Sequence, residues 1–201
     1  MEGASEMTVF QYFHHLDQDI TLGLNGMNCP ASDFVWQAFS NIPVWTVLYV
    51  AVIFFFFRRL GWKKALVVIG TCILTFAACD QFSGLVKDAV QRLRPCWDLN
   101  MVNGGLRILE GKGGQYGFFS AHAANAMGFA VCSLEGFRHD RSRSYRKYGI
   151  WIMTWAVLVG ISRIFVGKHF LGDVCVGFAV GALFGWFFSR IGGLLISRFN
   201  L

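Results

Sequence analysis

The sequence predicts an all-α integral membrane helical bundle with five spans and an N-terminal interfacial helix, six helices in all. Two observations carry this prediction. Of the 201 residues, 55% are hydrophobic and only 15% are charged, whereas a soluble domain carries about 25% charged residues. In addition, five apolar segments approach or exceed the ~20 residues that a spanning helix needs. They cover residues 35–57, 65–86, 120–137, 149–166 and 173–190.

The N-terminal segment 7–28 has a different pattern, because apolar residues such as Phe13 and Ile20 alternate with His14 and Asp17. This mixture favours a helix that lies in the membrane interface. A helical arm that covers the bundle is the alternative. No Lys or Arg precedes Arg58, so we expect no ordinary cleavable signal peptide, and the first span serves as the targeting signal.

The connections between the predicted spans are short, and the sequence contains no repeat or linker that would divide it. We therefore expect one membrane domain over residues 1–201. Gly177, Gly181 and Gly185 recur at every fourth position of the last span. Such a stripe of small residues predicts close packing against a neighbouring helix.

Basic residues predict the orientation of the bundle. They concentrate in the hairpin 58–64 and in the segment 137–148, which should therefore face the cytoplasm. Alternation then places 87–119 and 167–172 on the outer side. The basic residues of these two segments are thus explained as topology signals, and nucleic acid is not an expected partner.

Two of the six cysteines, Cys29 and Cys96, fall outside the spans on the predicted outer side. A disulfide between them would be compatible with an oxidising compartment. Two unrelated free thiols are the other reading of the same positions.

Seven basic residues lie on the predicted outer side, where topology does not explain them, and an anionic ligand is the simplest cause. They are Lys87, Arg92, Arg94, Arg107, Lys112, Arg163 and Lys168. Lys87 and Arg94 are seven residues apart, which would place them two turns apart on one helical face. Pro95 marks the end of that helix at Arg94. Arg as a fork and Lys as a point charge suit phosphate, although both side chains could instead reach towards lipid headgroups.

A glycine-rich stretch, 113–117, leads to Ser120 and His122 at the start of the third span. Ser120 is a good helix N-cap, and the free backbone N–H groups of a helix start attract phosphate. His122 would lie in the first turn, as a catalytic group or as an ordinary interface residue.

The segment 162–173 contains Arg163, His169 and Asp173. His169 and Asp173 are at positions i and i+4 and should share a helix face. A carboxylate there accepts the Nδ1–H of histidine and leaves Nε2 free to attack. A pair that only ties two helices together is the structural alternative.

Taken together, these residues make the sequence resemble the type 2 phosphatidic acid phosphatase superfamily, to which bacterial acid phosphatases and vanadium haloperoxidases also belong. Its K-x6-R-P motif matches Lys87, Arg94 and Pro95 within 87–95. Its S-R-x5-H-x3-D motif matches Ser162, Arg163, His169 and Asp173 within 162–173. The P-S-G-H motif is altered here to Phe119, Ser120, Ala121 and His122, within 119–122. If the position of Ala121 needed a positive φ, alanine would be strained there.

The resemblance implies a role for each matching residue. His169 would attack phosphorus and form a phosphohistidine, Asp173 would orient it, and His122 would protonate the leaving oxygen. The phosphate oxygens would be held by a set of donors: Lys87, Arg94, Ser120, Arg163 and the backbone N–H of Ala121. The family needs no metal and no cofactor.

The resemblance also implies a location and a substrate class: the bacterial inner membrane, with the site at its periplasmic or extracellular face, and a lipid phosphate. An undecaprenyl pyrophosphate-like substrate ranks ahead of lipid A, phosphatidylglycerophosphate and phosphatidate, and no obligate protein partner is expected. Two alternatives remain. One is a non-catalytic lipid-binding or transport bundle of the same fold. The other is a metal-dependent membrane hydrolase that uses His122, His169 and Asp173 as ligands.

Overall fold

The computed structural model describes residues 8–27 and 29–201 as an assembly of α-helices. These residues form seven α-helices and two short 3-10 helices, Ile42–Trp45 and Pro95–Trp97. The α-helices are α1 Val9–Gly26, α2 Pro30–Ser40, α3 Thr46–Val90, α4 Leu99–Asn103, α5 Ala121–Phe137, α6 Arg146–Phe165 and α7 Leu171–Arg198. The described residues contain no β-strand, and Leu93 and Tyr116 form an isolated antiparallel bridge. The expected all-α class is therefore confirmed.

Helix α3 contains the second predicted span and the later part of the first, and it folds back on itself at Gly61. Gly61 has φ 74° and ψ 166°, a conformation that glycine adopts without a steric cost. As a result, the rings of Tyr49 and Phe76 lie 6.0 Å apart, centroid to centroid. In a straight helix the same residues would be about 40 Å apart, at about 1.5 Å per residue. The two arms of α3 are thus antiparallel neighbours in the bundle.

The predicted first span 35–57 is wrong at its start. Helix α2 covers its first residues and ends at Ser40, and a 3-10 turn then precedes Thr46. Pro43 lies in this turn. Because proline lacks an N–H and disfavours helix at the preceding residue, a continuous helix through this point is not formed.

Among the described residues, three segments are long and apolar enough to cross a membrane, namely Ile42–Val90, Arg146–Phe165 and Leu171–Arg198. The predicted count of five spans is not confirmed, for two reasons visible in the helices. Two of the predicted spans share the segment Ile42–Val90, and α5 has only 17 residues. The outward apolar side chains of α3 and α7, such as Phe54 and Leu194, agree with an integral membrane protein.

Helix α5 lies at the centre and packs closely against α7. A Cβ atom on Gly177, Gly181 or Gly185 would lie 2.6, 2.1 and 2.6 Å from a backbone carbonyl oxygen of α5 or its N-cap. The predicted small-residue stripe is therefore confirmed as a contact between two helix backbones. Its effect is to bring the starts of α5 and α7 together.

Helix α1 is amphipathic in an unusual sense, because its polar side faces the protein and its apolar side faces outward. Gln18, Thr21 and Asn25 are buried. The amide of Asn25 donates hydrogen bonds to the carbonyls of Arg107, Ile164 and Phe165. The opposite face exposes a stripe of apolar side chains: Val9, Tyr12, Phe13, Leu16 and Ile20. Residues 7 and 28 of the predicted segment 7–28 lie outside the described residues.

The predicted cytoplasmic basic residues meet at one end of the bundle. Lys64 after the α3 turn, Arg138 at the end of α5 and Ser197 near the end of α7 line one cavity of about 540 Å³. The first residues of α5 and α7 lie at the other end, since α5 is about 25 Å long at about 1.5 Å per residue.

Candidate active site

His169 and Asp173 form a buried pair, as the sequence predicted. Nδ1 of His169 lies 3.4 Å from Oδ2 of Asp173, and the two residues are 2% and 0% exposed. Oδ2 of Asp173 also accepts the backbone N–H of Phe170 at 3.1 Å. Asp173 thus holds the imidazole through Nδ1, and Nε2 has no hydrogen-bond partner among the described residues.

The expected arrangement of this pair on one helix face is wrong. Helix α7 begins at Leu171, with Phe170 as its N-cap, so His169 lies in the loop before the helix. A turn at Gly167, with φ 77°, reverses the chain here. The backbone N–H groups of Lys168 and His169 then donate to the carbonyl of Arg163, at 2.9 and 3.1 Å. The loop therefore fixes His169 against the end of α6.

Burial lowers the pKa of His169 to about 4. The hydrogen bond and the charge of Asp173 oppose this effect, whereas Arg163 and Arg94 add to it. At neutral pH the imidazole is therefore uncharged. Only an uncharged imidazole has the lone pair on Nε2 that a nucleophile needs.

The start of α5 carries the altered second motif. Ser120 is the N-cap, and its buried hydroxyl accepts the N–H of Ala123 at 3.4 Å. Ala121 is the first helical residue and is not among the described residues with positive φ, so the expected strain is absent. His122, one residue further on, lies within electrostatic range of His169, Arg163, Lys87 and Arg94.

Lys87 and Arg94 do not share a helix face, which corrects the sequence prediction. Helix α3 ends at Val90, and Gln91 follows in a left-handed conformation with φ 53°. Arg94 instead belongs to an extended segment. Its backbone N–H donates to Gln115 at 3.0 Å, and its Nε donates to the carbonyl of Tyr116 at 3.1 Å. Burial lowers the pKa of Arg94, but a guanidinium stays charged.

Arg163 is 4% exposed and extends from the last turn of α6. Its Nη1 donates to the hydroxyl of Ser40, and it lies 3.3 Å from Oε2 of Glu110. The Nε–H of Arg163 is buried and has no hydrogen-bond partner within the part of the chain that the structure describes. A buried donor without a partner is costly, so this N–H is a suitable contact for a ligand oxygen.

Two cations of the site were recognised in the sequence as outer charges but received no role. Arg92 contacts Asp173 directly, with Nη1 2.8 Å from Oδ1. Lys168 is 4% exposed, and its ammonium donates to the carbonyl of Gly111. Burial lowers the pKa of Lys168. The only signal for either residue was a positive charge on the side where topology does not require one.

The described residues contain no group of three or more His, Cys, Asp and Glu side chains that could hold a metal ion. All six cysteines, which lie within 29–201, are free thiols, with Cys29 exposed and Cys96 buried. The disulfide is therefore not formed, and the reading as two separate thiols is confirmed.

The fold and the site define a helical membrane protein with a candidate phosphoryl-transfer centre. The chain belongs to the PAP2 superfamily, whose family model matches residues 65–196, well over half of the sequence. The resemblance found in the motifs is thereby confirmed. The chain is similar to the lipid A 4'-phosphatase of Bacteroides thetaiotaomicron, at 30% identity over 94% of this chain and 83% of the relative. It is also similar to the lipid A 4'-phosphatase of Porphyromonas gingivalis, at 30% identity over 90% of this chain and 75% of the relative.

Two solved structures share the fold. The first is a transmembrane PAP2-type phosphatidylglycerolphosphate phosphatase from Bacillus subtilis, with a TM-score of 0.71 at 21% identity. The match covers 90% of this chain and 86% of that chain. The second is Aquifex aeolicus LpxE, with a TM-score of 0.65 at 21% identity, covering 87% of this chain and 95% of that chain.

Proposed function

We propose that this protein removes a phosphate group from a membrane lipid, with His169 as nucleophile and without a metal ion. The observation that carries the proposal is the buried His169–Asp173 pair, 3.4 Å between Nδ1 and Oδ2. A pair that only tied helices together would not need an uncharged Nε2 beside a set of cations. Lys87, Arg94 and Arg163 supply those cations, and His122 lies beside them.

In the first step, the lone pair of Nε2 of His169 forms a bond to phosphorus. The phosphorus–oxygen bond to the lipid breaks, and its electrons go to the leaving oxygen. His122 is protonated when the negative charge of the phosphate is bound beside it, and it gives that oxygen its proton. Asp173 stabilises the positive charge that develops on the imidazole during this step.

In the second step, water attacks the phosphohistidine, and the nitrogen–phosphorus bond breaks. Its electron pair returns to His169, while His122 accepts a proton from the water. Inorganic phosphate then leaves. Since a catalytic histidine can act first as acid and then as base, the two steps use the same pair of side chains.

The charge on the phosphoryl oxygens is stabilised by fixed donors. Lys87, Arg94, Arg163, Ser120 and the backbone N–H of Ala121 form the proposed phosphate-binding set. Lys168 belongs with them, because a Cβ on Gly113 would lie 3.4 Å from its Nζ and 3.6 Å from Nη1 of Arg94. Among the described residues, Lys87, Arg94 and Lys168 have no carboxylate within ion-pair distance. Their charge is available to a ligand.

We propose five spans, two of them from the hairpin of α3, with the site at the outer face of the inner membrane. The basic residues Lys64 and Arg138 lie at the opposite end, which the positive-inside rule assigns to the cytoplasm. The exposed apolar stripe of α1 would then lie in the outer interface. A lipid headgroup could reach the site while its chains remain in the bilayer.

The substrate we propose first is a lipid A-type phosphate, ahead of a polyprenyl diphosphate. This reverses the order that the sequence suggested. The reason is that two relatives matched over at least 90% of this chain are named lipid A 4'-phosphatases. Phosphatidylglycerophosphate and phosphatidate complete the set of candidates.

The experiment is a phosphate-release assay with detergent-purified protein and a panel of substrates: lipid A, polyprenyl diphosphate, phosphatidylglycerophosphate, phosphatidate and a soluble phosphomonoester. We expect a clear preference for a lipid, because apolar chains add binding that a soluble ester lacks. His169→Ala should abolish turnover and His122→Ala should nearly do so. His139→Ala, at the basic end, is the matched control. Activity should persist in EDTA.

Equal kcat/KM for the soluble ester and every lipid would contradict the lipid assignment. Loss of activity in EDTA with recovery on addition of a metal would favour the metal-dependent hydrolase. No phosphate release from any substrate by folded protein would favour the non-catalytic lipid-binding bundle.

A further inference from the structure

The geometry points to Arg92 as a positioning residue for the nucleophile, held in place by Asp17 of helix α1. This inference rests on the proposed function, since it assigns Arg92 to the orientation of His169 through Asp173. It also makes the N-terminal helix part of the catalytic unit rather than a covering arm. Arg92 occupies one of the unspecified positions of the K-x6-R-P motif, and Asp17 lies outside all three motifs.

Arg92 lies between two carboxylates. Its Nη1 is 2.8 Å from Oδ1 of Asp173, and its Nη2 is 2.7 Å from Oδ2 of Asp17. Its guanidinium also lies over the ring of Phe170, 4.0 Å from the centroid. Its Nη2 also lies 3.5 Å from Nδ1 of His14. Because the planar fork is fixed by these four contacts, its position is determined on both sides.

Asp173 depends on this contact. Its side chain is fully buried, and Oδ2 is occupied by His169 and by the N–H of Phe170. Oδ1 receives its hydrogen bond from Arg92. Removing one partner of a buried ion pair leaves an uncompensated charge, which is strongly destabilising. Without Arg92, Asp173 would rotate or would face His169 with its full negative charge.

Asp17 connects this arrangement to α1. Its Oδ2 binds Arg92, while its Oδ1 accepts the backbone N–H of Gly172 at 2.9 Å. The neighbouring N–H of Leu171 donates to the hydroxyl of Thr21 at 3.0 Å. Helix α1 therefore holds the first turn of α7, the turn that carries Asp173. A Cβ at Gly172 would lie 2.8 Å from Oδ2 of Asp17 and would therefore displace this carboxylate.

The positive charge of Arg92 should also lower the pKa of His169. The groups that face His169 are Asp173 on α7, Arg163 on α6, His122 on α5 and Arg94 in the loop after α3. Arg92 neutralises the one anion in this set. Without Arg92, the negative charge of Asp173 would no longer be neutralised and would stabilise the imidazolium of His169 more strongly. The pKa of His169 would therefore rise, and a smaller fraction of the nucleophile would be uncharged.

The test compares Arg92→Gln, Arg92→Lys and Asp17→Asn in the full-length protein in detergent. We expect Arg92→Gln to lower kcat by about ten- to a hundredfold, the range seen for outer partners that orient metal-bound histidines. KM should change little, because the guanidinium of Arg92 is already paired with Asp17 and Asp173 and is not part of the proposed phosphate-binding set. Arg92→Lys should recover part of kcat. Asp17→Asn keeps an oxygen for Gly172 but loses the charge, and should give an intermediate loss.

The matched control is Arg107→Gln, which removes the ion pair between Arg107 and Asp33, 2.5 Å long, outside the site. It should leave kcat and KM unchanged. If Arg92 had a merely structural role, Arg92→Gln and Arg107→Gln would both change the melting temperature. Neither variant would then move the acid limb of the pH profile of kcat. We expect that limb to move to higher pH in Arg92→Gln alone.

Nitrogen-15 NMR of the histidine rings provides a readout that does not require turnover, with the His169 signal assigned by its loss in His169→Ala. We expect the pKa of His169 to be higher in Arg92→Gln than in the wild type and in Arg107→Gln. An unchanged pKa and an unchanged kcat in folded Arg92→Gln and Asp17→Asn would overturn the inference. If no lipid is hydrolysed by the wild type, the proposed function fails, and the NMR titration still decides the role of Arg92.

Discussion

The backbone N–H of Ser120 donates a hydrogen bond to the backbone carbonyl of Asp173, at 3.0 Å. This bond joins the N-cap of α5 to the first turn of α7. It therefore brings the segment that carries His122 next to the segment that carries His169, although the two are far apart in sequence. The convergence depends on backbone contacts, which explains why it tolerates the changed side chains of the second motif.

The first prediction concerns Ala121, where the motif has glycine in other members of the family. Ala121 is the first residue of α5 and has no positive φ. Ala121→Gly keeps the N–H donor and should leave kcat/KM within about twofold, with a stability loss of up to about 1 kcal/mol from helix propensity. Steady-state kinetics and a thermal melt measure both. Loss of activity in a folded variant would show that the role given to this N–H is wrong.

A second prediction tests Lys168 as a phosphate contact. Lys168→Met removes a charged donor and should raise KM for the lipid by about ten- to a hundredfold, which corresponds to a charged hydrogen bond of about 1.5–3 kcal/mol. Lys112→Met is the control from the adjacent loop, since its exposed ammonium lies over Trp97, 4.8 Å from the ring centroid. Equal KM values for the two variants would remove Lys168 from the phosphate-binding set.

The close contact between α5 and α7 gives a third prediction. In Gly181→Ala the new Cβ would lie 2.1 Å from the carbonyl oxygen of Ala124, so the helices must separate. We expect a loss of stability of about 1–3 kcal/mol, as for other overpacked cores, and reduced activity, because the starts of the two helices carry the site. In Gly193→Ala, on the same helix, the nearest atom is Cε1 of His139 at 3.5 Å. That variant should melt like the wild type, and equal melting of both variants would contradict the packing described above.

The fourth prediction concerns pH. The pKa of His169 is lowered by burial from an ordinary value of 6.5 to about 4 in the folded protein. Between these two values the unfolded chain binds a proton that the folded protein does not, so stability falls as the pH is lowered through this window. The melting temperature should therefore decrease less steeply from pH 7 to about pH 4.5 in His169→Gln than in the wild type. Parallel curves would show that His169 is not buried in its uncharged form.

Much of the fold followed from patterns that are local in sequence. The helical class, the glycine stripe and the basic end depend on composition and spacing, and each was found in the structure. The interruption before Thr46 was missed, although Pro43 was visible, because a long apolar run was taken as one helix. The fold-back of α3 at Gly61 does agree with two separate predicted segments.

The structure places several of the predicted site residues near one another, but part of their geometry was not predicted. His169 and Asp173 form a pair across a helix boundary, and Lys87 and Arg94 are separated by the left-handed Gln91. These are features of turns, where one φ value changes the direction of the chain. The contacts of Arg92 with Asp17 and of Arg163 with Ser40 join distant parts of the chain, so no local pattern could reveal them.

The central claim is that His169 carries the phosphoryl group during turnover, and trapping the intermediate tests it most directly. Protein mixed with a lipid substrate would be stopped in alkaline denaturant within a single turnover, digested and examined by mass spectrometry for phosphohistidine. We expect the phosphoryl group on the peptide that contains His169. We expect none in His169→Ala, which lacks the nucleophile, and none in Arg163→Ala, which should no longer bind the substrate. A phosphoryl group on His122, or continued phosphate release by the folded His169→Ala variant, would contradict the account.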